Sequence, residues 1–337
     1  VGTHLKYYLL EGGAFYDITP LRITTSAGAV TFLTGADTLN GAIAADVESI
    51  VLNSASGFPP NGRIKIGSEI ITYAAISSAT LTGCARGQSG TTAASHSNSA
   101  AVSCTTIKVT DEDHGALDND FVTYTDAATL GGTITAGVLN QEYQIITVVD
   151  DDTYLIEARA IEIVADITTT NGLEPTLVFS NTSDSGTGGT ATVGAYQINT
   201  GLDTTITGNG WNAGSYGRGT WNSAADLSID GQTLRVWSHD NFGEDLVLNP
   251  RDDSVYYWDK SGGTGSRAVA LGSLSNPKSP PTKAKIVLVS DNDRHVIAFG
   301  CNPQNSVDQD PLLVRFSSQG VVSDWEASAT NTAGDLT

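Results

Sequence analysis

Three stretches of the 337-residue sequence repeat one pattern, in which a short apolar strand and a second strand flank a glycine-containing turn. They read SVYYWDKSGGTGSRAVAL (254–271), HLKYYLLEGGAFYDITPL (4–21) and LLVRFSSQGVVSDWEA (312–327). Because a two-stranded hairpin is marginally stable alone in water, each must complete a larger sheet. Four strands in about 40–50 residues are typical of a propeller blade. The repeated phrase therefore predicts outer half-blades of a β-propeller-like fold.

The composition favours an all-β chain. Val, Ile, Thr and Tyr recur in short runs separated by Gly, Asn and Asp, and long helical stretches are missing. A net charge of -20 argues against a protein that holds nucleic acid by neutralising phosphates, because that needs clustered Lys and Arg. The same acidity suits solubility, or a surface along which nucleic acid slides without binding. The sequence contains no apolar run of about 20 residues, so we expect no membrane span.

Changes of composition along the chain divide it into five segments. They are an N-terminal half-blade (1–37), a first inserted β module (38–103), a second inserted β module (104–193), a Gly- and Trp-rich connecting loop (194–230) and two four-stranded propeller blades (231–337). The predicted fold class is all-β, with β-propeller-like blades interrupted by two small inserted β-barrel or sandwich domains. A sandwich with coincidentally similar hairpins is the alternative. A complete ring would need blades from outside 1–337 or from other chains.

Strand alternation predicts which side chains pack inside the sheets. In the first inserted module these are Ile64, Ile66, Ile70 and Tyr73. In the blades they are Val236, Leu246, Leu248, Val255, Ile286, Leu288, Val296, Ala298, Leu313 and Val314.

The segment SHDNFGED, from Ser238 to Asp245, is the best candidate for a site because it combines one His with three acids. It partly resembles the Asp-box of sialidase propellers, although the Gly is displaced and the Thr-Trp pair is absent. That box is a structural turn, and a turn capped by Asp240 and Asn241 is the simpler interpretation. A glycosidase would need two carboxylates about 5–10 Å apart beside sugar-stacking aromatics. The residues available for such a site are Glu244, Asp245, Asp252, Asp253, Trp237 and Trp258.

Other groups give weaker signals. Three Asp runs have oxygen ligands of the kind that Ca²⁺ prefers but lack a complete loop motif, so turn formation is the favoured interpretation. They are Asp150-Asp151-Asp152, Asp291 with Asp293, and Asp308 with Asp310. Cys84, Cys104 and Cys301 lack zinc-ligand spacing, and a Cys84–Cys104 bridge stays open. With no nucleophile elbow or phosphate-binding loop either, the sequence nominates no catalytic, cofactor-binding or metal-binding residue, and we expect a protein that is not an enzyme.

Three long phrases carry a family resemblance. They are VGTHLKYYLLEGGAFYDITPLR (1–22), LRVWSHDNFGEDLVLNPRDDSVYYWD (234–259) and LVSDNDRHVIAFGCNPQNSVDQDPLLVRFSSQGVVSDWEASATNTAG (288–334). Together they resemble tailed-phage virion proteins of the tail nozzle or packaged-DNA stabilisation type.

The two inserts resemble small β modules that recur in phage tail and fibre proteins. In the first insert the resembling residues are GFPPNGRIKIGSEIITY (57–73) and LTGCARGQSGTTAASH (81–96). In the second they are DHGALDNDFVTY (113–124) and YQIITVVDDDTYLIEA (143–158). Related modules usually carry Gly before the Asp of the second insert's motif, where this chain has Asn119 before Asp120.

The resemblance implies a virion protein, made in the host cytoplasm, that forms a ring of six copies at the distal end of a short tail. Its partners would be other copies of itself, a tail adaptor protein, tail fibre or needle proteins, and genomic DNA passing through without sequence-specific binding. The aromatic stretch 209–221 is a candidate ring contact, and an internal loop is its equal alternative. The alternative function is a receptor-binding fibre or spike, in which Trp211 and Trp221 contact host glycans. A sugar-cleaving propeller enzyme is a third hypothesis.

Overall fold

The structure, a computed structural model, describes residues 1–160, 176–203 and 234–336. Within these ranges the chain is nearly all β, with antiparallel sheets, one four-residue helix and two short 3₁₀ turns. The predicted all-β class is confirmed. The chain divides into two compact units, of which unit 1 contains residues 1–22 and 197–337 and unit 2 contains residues 23–196.

Unit 1 begins with the hairpin of β1 (Tyr8–Glu11) and β2 (Ala14–Asp17). Glu11 pairs with Ala14 across the turn, so Gly12 and Gly13 are its two central residues. Their φ angles are +60° and +85°, which glycine adopts without a steric penalty. This is the hairpin that the Gly-Gly pair predicts.

The chain then passes into unit 2, which has two hydrophobic cores. Its first strands are β3 (Leu21–Thr24), β4 (Thr31–Leu33), β5 (Ala36–Thr38), β6 (Ser49–Val51), β7 (Gly62–Ile66), β8 (Glu69–Tyr73), β9 (Ala75–Ser77), β10 (Thr80–Thr82), β11 (Ala85–Gln88) and β12 (Ala101–Cys104). One sheet has the order β6-β10-β9 and the other β11-β8-β7-β12-β5. The core between them contains buried apolar residues from Leu39 to Cys104, including Ile50, Leu81 and Ile64.

The second core of unit 2 lies between two four-stranded sheets. The remaining elements are β13 (Thr106–Thr110), β14 (Phe121–Thr125), α1 (Ala136–Leu139), β15 (Glu142–Gln144), β16 (Thr147–Asp150), β17 (Thr153–Glu157), β18 (Arg159–Ala160), β19 (Thr176–Leu177) and β20 (Val193–Gln197). The sheets have the orders β16-β17-β13-β4 and β15-β14-β20-β3. Among the described residues, the sheets around each core are open and form no closed barrel. Of the two predicted architectures, barrel and sandwich, the sandwich fits both inserted modules.

The observed pairing moves two predicted segment limits. Residues 23–37, assigned from the sequence to the half-blade, belong to unit 2, because β4 pairs with β13 and β5 pairs with β12. Phe32 explains this pairing, since it is buried with its ring edge-on to Tyr124, 5.0 Å between centroids. At the other end, β20 occupies the start of the predicted connecting loop. Most of that loop lies outside the described residues.

Unit 1 resumes with two four-stranded sheets. Their strands are β21 (Ser238–Phe242), β22 (Asp245–Asn249), β23 (Tyr256–Trp258), β24 (Val269–Ala270), β25 (Ile286–Val289), β26 (Val296–Phe299), β27 (Val314–Phe316) and β28 (Gly334–Leu336), with 3₁₀ turns at Lys260–Gly262 and Leu271–Ser273. Each sheet is antiparallel, with its strands in chain order. We name β21–β24 sheet A and β25–β28 sheet B.

Sheet A is buried on both faces, because alternate side chains of β22 lie in two different hydrophobic cores. Leu246 and Leu248 pack with Tyr7 and Ile18 of the N-terminal hairpin region. Val247, whose side chain points to the opposite face, packs with Val287 and other residues of sheet B. The hairpin, sheet A and sheet B are therefore stacked face to face in that order.

Five of the predicted packing positions are wrong, and the alternation of side chains along a strand explains three of them. Ile70 and Tyr73 are three residues apart and point to opposite faces of β8, and the buried partner of Tyr73 is Ile71. On β25 the buried residues are Val287 and Val289, so Ile286 and Leu288 face outward. Val236 is exposed and Val314 is half-buried. The other predicted positions are buried.

The last strand of sheet B also differs from the prediction. The sequence places it in the second half of the third copy of the repeated phrase, which ends at residue 327, whereas β28 lies at Gly334–Leu336. Trp325, in the expected strand, is buried and its indole Nε1 donates to the Val322 carbonyl, 2.8 Å away. The aromatic side chain that suggested a strand thus fills the core from a turn.

Candidate functional site

The candidate segment Ser238–Asp245 divides into a structural part and a solvent-facing part. Ser238 Oγ accepts from the backbone N–H of Val287 (3.0 Å), and Asp240 Oδ2 accepts from that of Val289 (2.9 Å). These two bonds join β21 to β25 with both strands running in the same direction. Ser238 and Asp240 therefore connect the first strands of sheets A and B.

The solvent-facing part, Glu244 and Asp245, belongs to a group that we name the acidic turn cluster, together with Asp259, Lys260 and Arg294. It surrounds an open pocket of about 590 Å³ at the turn ends of sheets A and B. Lys260 Nζ lies 2.7 Å from Glu244 Oε1, and the Lys260 backbone N–H donates to Asp245 Oδ1 at 3.1 Å. The Tyr257 hydroxyl donates to the other Asp245 oxygen. The pKa of Tyr257 is raised, mainly by burial and in addition by this carboxylate.

Two further groups belong to the same end of unit 1. Arg294, in the turn between β25 and β26, lies close to Gly243, since a Cβ on that glycine would be 3.5 Å from its guanidinium. Lys260 has a raised pKa because of its hydrogen bond to Glu244, and Glu11 at the N-terminal hairpin turn adds to that effect. Turns of the hairpin, sheet A and sheet B therefore bring charged groups to one end of the stack, with the acids on the hairpin and sheet A and Arg294 on sheet B.

Asp252 and Asp253, the other two candidate carboxylates, lie in a separate pocket. We name it the arginine pocket: Arg22, Arg235, Arg251, Asp252, Asp253 and Tyr256 are among its lining residues, and its volume is about 240 Å³. Burial raises the pKa of Asp253, against hydrogen bonds and positive charges that lower it. The four acids proposed for a glycosidase are thus shared between two pockets, one at each end of sheet A.

The candidate sugar-stacking aromatics serve packing. Trp258 is buried, and its Nε1 donates to the Ser266 carbonyl at 3.2 Å. Trp237 packs on Tyr7, with 4.8 Å between ring centroids, and donates to the Thr3 carbonyl at 2.8 Å. Neither tryptophan is among the residues that line the two pockets.

Two of the Asp runs contain a carboxylate that accepts hydrogen bonds within its own turn. Asp150 Oδ1 accepts from the Asp152 N–H (3.0 Å) and from Thr153 Oγ1 (2.7 Å), and Asp310 Oδ1 accepts from the Leu312 N–H (2.9 Å). Over the described ranges, no group of three or more His, Cys, Asp or Glu is placed to hold a metal ion.

The three cysteines are free and buried, so Cys84 and Cys104 form no bridge. Burial raises the pKa of the Cys104 thiol to about 12. This thiol is therefore protonated at neutral pH and packs as a small apolar side chain.

Sequence reasoning missed a buried carboxylate in unit 2. Arg86 binds Glu69 through Nε and Nη2, both at 2.8 Å, and His96 Nε2 lies 2.7 Å from Glu69 Oε2. Backbone N–H groups of Gly87 and Ala94 also donate to Glu69. Burial raises the pKa of this carboxyl, but these hydrogen bonds outweigh burial and lower it to about 2. Strand alternation could have indicated it, since Glu69 lies two residues before Ile71 and four before Tyr73, on the same inward face of β8.

A chain of buried hydroxyls in the second core was also missed. Tyr154 contacts Tyr124 (2.5 Å) and Tyr196 (2.7 Å) through hydroxyl oxygens, and Tyr196 donates to Asp111 at 2.6 Å. The pKa of Asp111 is raised by burial, against the Tyr196 hydrogen bond that lowers it. His114 packs edge-on to Tyr154 at 4.8 Å between centroids. The three hydroxyls and Asp111 form hydrogen bonds with one another inside the core, as buried polar groups generally do.

Two other expectations from the sequence were an aromatic contact at 209–221 and the lack of a membrane span. The aromatic stretch 209–221, with Trp211 and Trp221, lies outside the described residues. In the described part of the chain, no helix is both long and apolar enough to cross a membrane.

Comparisons with known proteins give matches among solved structures but none by sequence. No protein-family model matches the sequence, and no curated protein matches it. Four solved chains match the structure. One is described as phage phi92 endosialidase, with a TM-score of 0.17 and 11% sequence identity; the match covers 90% of this chain and 38% of that one. The chain thus spans well under half the length of that protein, and a TM-score of 0.17 carries no argument about fold or function.

Proposed function

We propose that this chain is a non-enzymatic structural protein of a phage tail, the nozzle subunit that forms the distal DNA channel and retains the packaged genome. The observation that carries the proposal is the face-to-face stack of the N-terminal hairpin, sheet A and sheet B. Sheet A is buried on both faces, and the side chains of Ser238 and Asp240 bond the first strand of sheet B. Consecutive four-stranded sheets stacked in this way are the arrangement of propeller blades.

The acidic turn cluster supports a channel wall. Glu244, Asp259 and Glu11 are exposed carboxylates at one end of the stack. Negative charge at a surface repels DNA phosphates over roughly a Debye length of ~8–10 Å, which lets a duplex move past without binding. The net charge of -20 extends this property to the whole chain.

Assembly into a ring of six copies follows from the same proposal. Each subunit then presents two different complementary faces, because heterologous contacts close a ring when the rotation permits. The further partners are a tail adaptor protein on one side and fibre or needle proteins on the other. The site of action is the virion.

Electron microscopy tests this function directly. We expect closed rings in the purified protein, either alone or after mixing with the adaptor protein, and density for this chain at the distal end of the tail in intact particles. Monomers under both conditions contradict the nozzle. Trimers that bind host glycans, with binding lost in Trp211→Ala, assign the chain instead to receptor-binding fibres or spikes.

A further inference from the structure

The arginine pocket stands out against the charge of the chain. Three of the ten arginines in the sequence, Arg22, Arg235 and Arg251, line one pocket of about 240 Å³. Two lysines lie beside it, since Lys285 Nζ is 3.4 Å from Asp252 Oδ1 and Lys283 acts electrostatically on Asp253. Five cations thus surround two carboxylates in a protein whose net charge is -20.

The topology explains why these cations meet. The first strands of sheets A and B start at one end of the stack, where the connection between β22 and β23 also lies. Arg235 precedes β21, Lys285 precedes β25, and Arg251 lies in the β22–β23 connection. The acidic turn cluster lies at the opposite end of the same strands.

One of the arginines, Arg235, is held in place by backbone carbonyls. Arg235 donates from Nη1 to the Pro250 carbonyl (3.0 Å) and from Nη2 to the Asn199 carbonyl (2.6 Å), and it lies 5.6 Å from the Trp237 ring centroid. Arg251 has a φ angle of +31°, in the left-handed region that is unfavourable for an arginine. Conformations of this kind are concentrated at binding sites, where the surrounding structure maintains them.

We propose that the arginine pocket binds a compact oxyanion, namely the carboxylate or phosphate of a small ligand such as an acidic or phosphorylated sugar. Guanidinium groups match both anions because their planar fork donates two parallel hydrogen bonds. The pocket volume is below the ~300–1,000 Å³ typical of drug-sized ligands, which limits the occupant to about one sugar or one anionic group. This site is independent of ring assembly and of the acidic turn cluster.

Calorimetric titration of the purified chain tests the proposal with three probes: inorganic phosphate, glucuronate and neutral glucose, at matched ionic strength. We expect binding of at least one of the two anions and none of glucose. Arg251→Gln is the pocket variant, because Arg251 is exposed and its replacement leaves the core intact. Arg294→Gln is the matched control, since Arg294 is an exposed arginine with φ +51° outside the pocket.

The expected result is a loss of anion affinity of about tenfold or more in Arg251→Gln, with less than about a twofold change in Arg294→Gln. If Arg251→Gln does not fold, Arg22→Gln replaces it with the same expectation. Binding of phosphate alone indicates a phosphoryl ligand, and binding of glucuronate alone indicates an acidic sugar. Equal losses in pocket and control variants, or no anion binding up to about 10 mM, overturn the proposal.

Discussion

Two glutamate–cation pairs in this protein have nearly the same geometry in very different surroundings. In unit 2, Glu69 and Arg86 are 2.8 Å apart, and their side chains are 1% and 7% exposed. In unit 1, Glu244 and Lys260 are 2.7 Å apart, and their side chains are 79% and 52% exposed. The distances alone predict equal contributions to stability. Exposed pairs contribute about 0–1 kcal/mol, whereas breaking a buried pair costs about 3–5 kcal/mol.

The comparison separates charges that maintain the fold from charges that face solvent. Glu69 accepts hydrogen bonds from Arg86 and from the backbone N–H groups of Gly87 and Ala94, and it lies against His96. It therefore fixes strand β11 and the loop that follows it. Glu244 makes one ion pair and otherwise faces water. Only the second kind of charge is available to a binding partner. Substitutions in the two groups are therefore expected to differ in effect, with the largest at Glu69 and the smallest at Glu244.

Replacing the buried carboxylate has the largest expected effect. Glu69→Gln leaves the Arg86 charge buried without its anion, and we expect the free energy of unfolding of unit 2 to fall by about 3–5 kcal/mol. Urea denaturation followed by far-UV circular dichroism measures this change. Tryptophan fluorescence serves as an internal reference, because residues 23–196 contain no tryptophan and the signal reports unit 1.

Glu48→Gln is the matched control for that substitution. Glu48 is an exposed glutamate in the same core region, so its replacement is expected to change stability by less than about 0.5 kcal/mol. A similar loss in both variants contradicts the distinction between buried and exposed carboxylates.

Acid titration tests the same carboxylate through its pKa. The pKa of Glu69 is about 2 in the folded chain against an ordinary value of 4.5. A lowered pKa stabilises the fold above the ordinary value, and this contribution disappears as the pH falls through the folded value. We expect unit 2 to lose about 3 kcal/mol of stability between about pH 4.5 and pH 2 from this group. Parallel urea curves for wild type and Glu69→Gln check it, and equal acid sensitivity in the two proteins argues against it.

The hydroxyl chain of the second core gives a smaller effect. Tyr196→Phe removes the donor to Asp111 and the contact with the Tyr154 hydroxyl, and leaving buried polar groups without that bond costs about 1–3 kcal/mol. Far-UV circular dichroism in urea measures it. Tyr16→Phe, at a half-buried tyrosine of the N-terminal hairpin, is the control. If Tyr196→Phe lowers the free energy of unfolding no more than Tyr16→Phe does, the buried hydroxyls do not stabilise the fold.

The link between sheets A and B is tested in unit 1. Asp240→Ala removes the acceptor of the Val289 N–H, with an expected loss of about 1–2 kcal/mol. Asp240→Asn keeps an acceptor oxygen at that place and is expected to retain most of the stability. Tryptophan fluorescence in urea distinguishes the two variants, and identical curves indicate that the bond does not hold the sheets together.

Much of the fold was predictable because its signals are local. Gly12-Gly13 predicts the first hairpin, and short Val- and Tyr-rich runs predict strands close to where they lie, such as β13 and β14. Errors arose where a non-local contact decides the outcome. Trp325 resembles a strand residue but fills the core from a turn, and residues 23–37 pair with strands more than 60 residues away.

The sites were less predictable than the strands, because sequence neighbours need not share an environment. Ser238 and Glu244 belong to one acidic phrase, yet the first bonds β25 and the second lies at an open pocket. Alternation along β21 and the turn at Gly243 separate them. The arginine pocket collects residues from positions 22, 235 and 251, a grouping that no sequence window contains.

The exposed pair is expected to show the smallest effect. Glu244→Gln removes the partner of Lys260 in a solvated position, where side-chain entropy and screening offset most of the attraction. We expect the free energy of unfolding of unit 1 to change by less than about 0.5 kcal/mol, and that small difference to vanish at about 1 M salt, where the Debye length is about 3 Å. Tryptophan fluorescence in urea at low and high salt measures it. A loss above about 2 kcal/mol that persists in high salt contradicts the comparison, because Glu244 then stabilises the fold as Glu69 does.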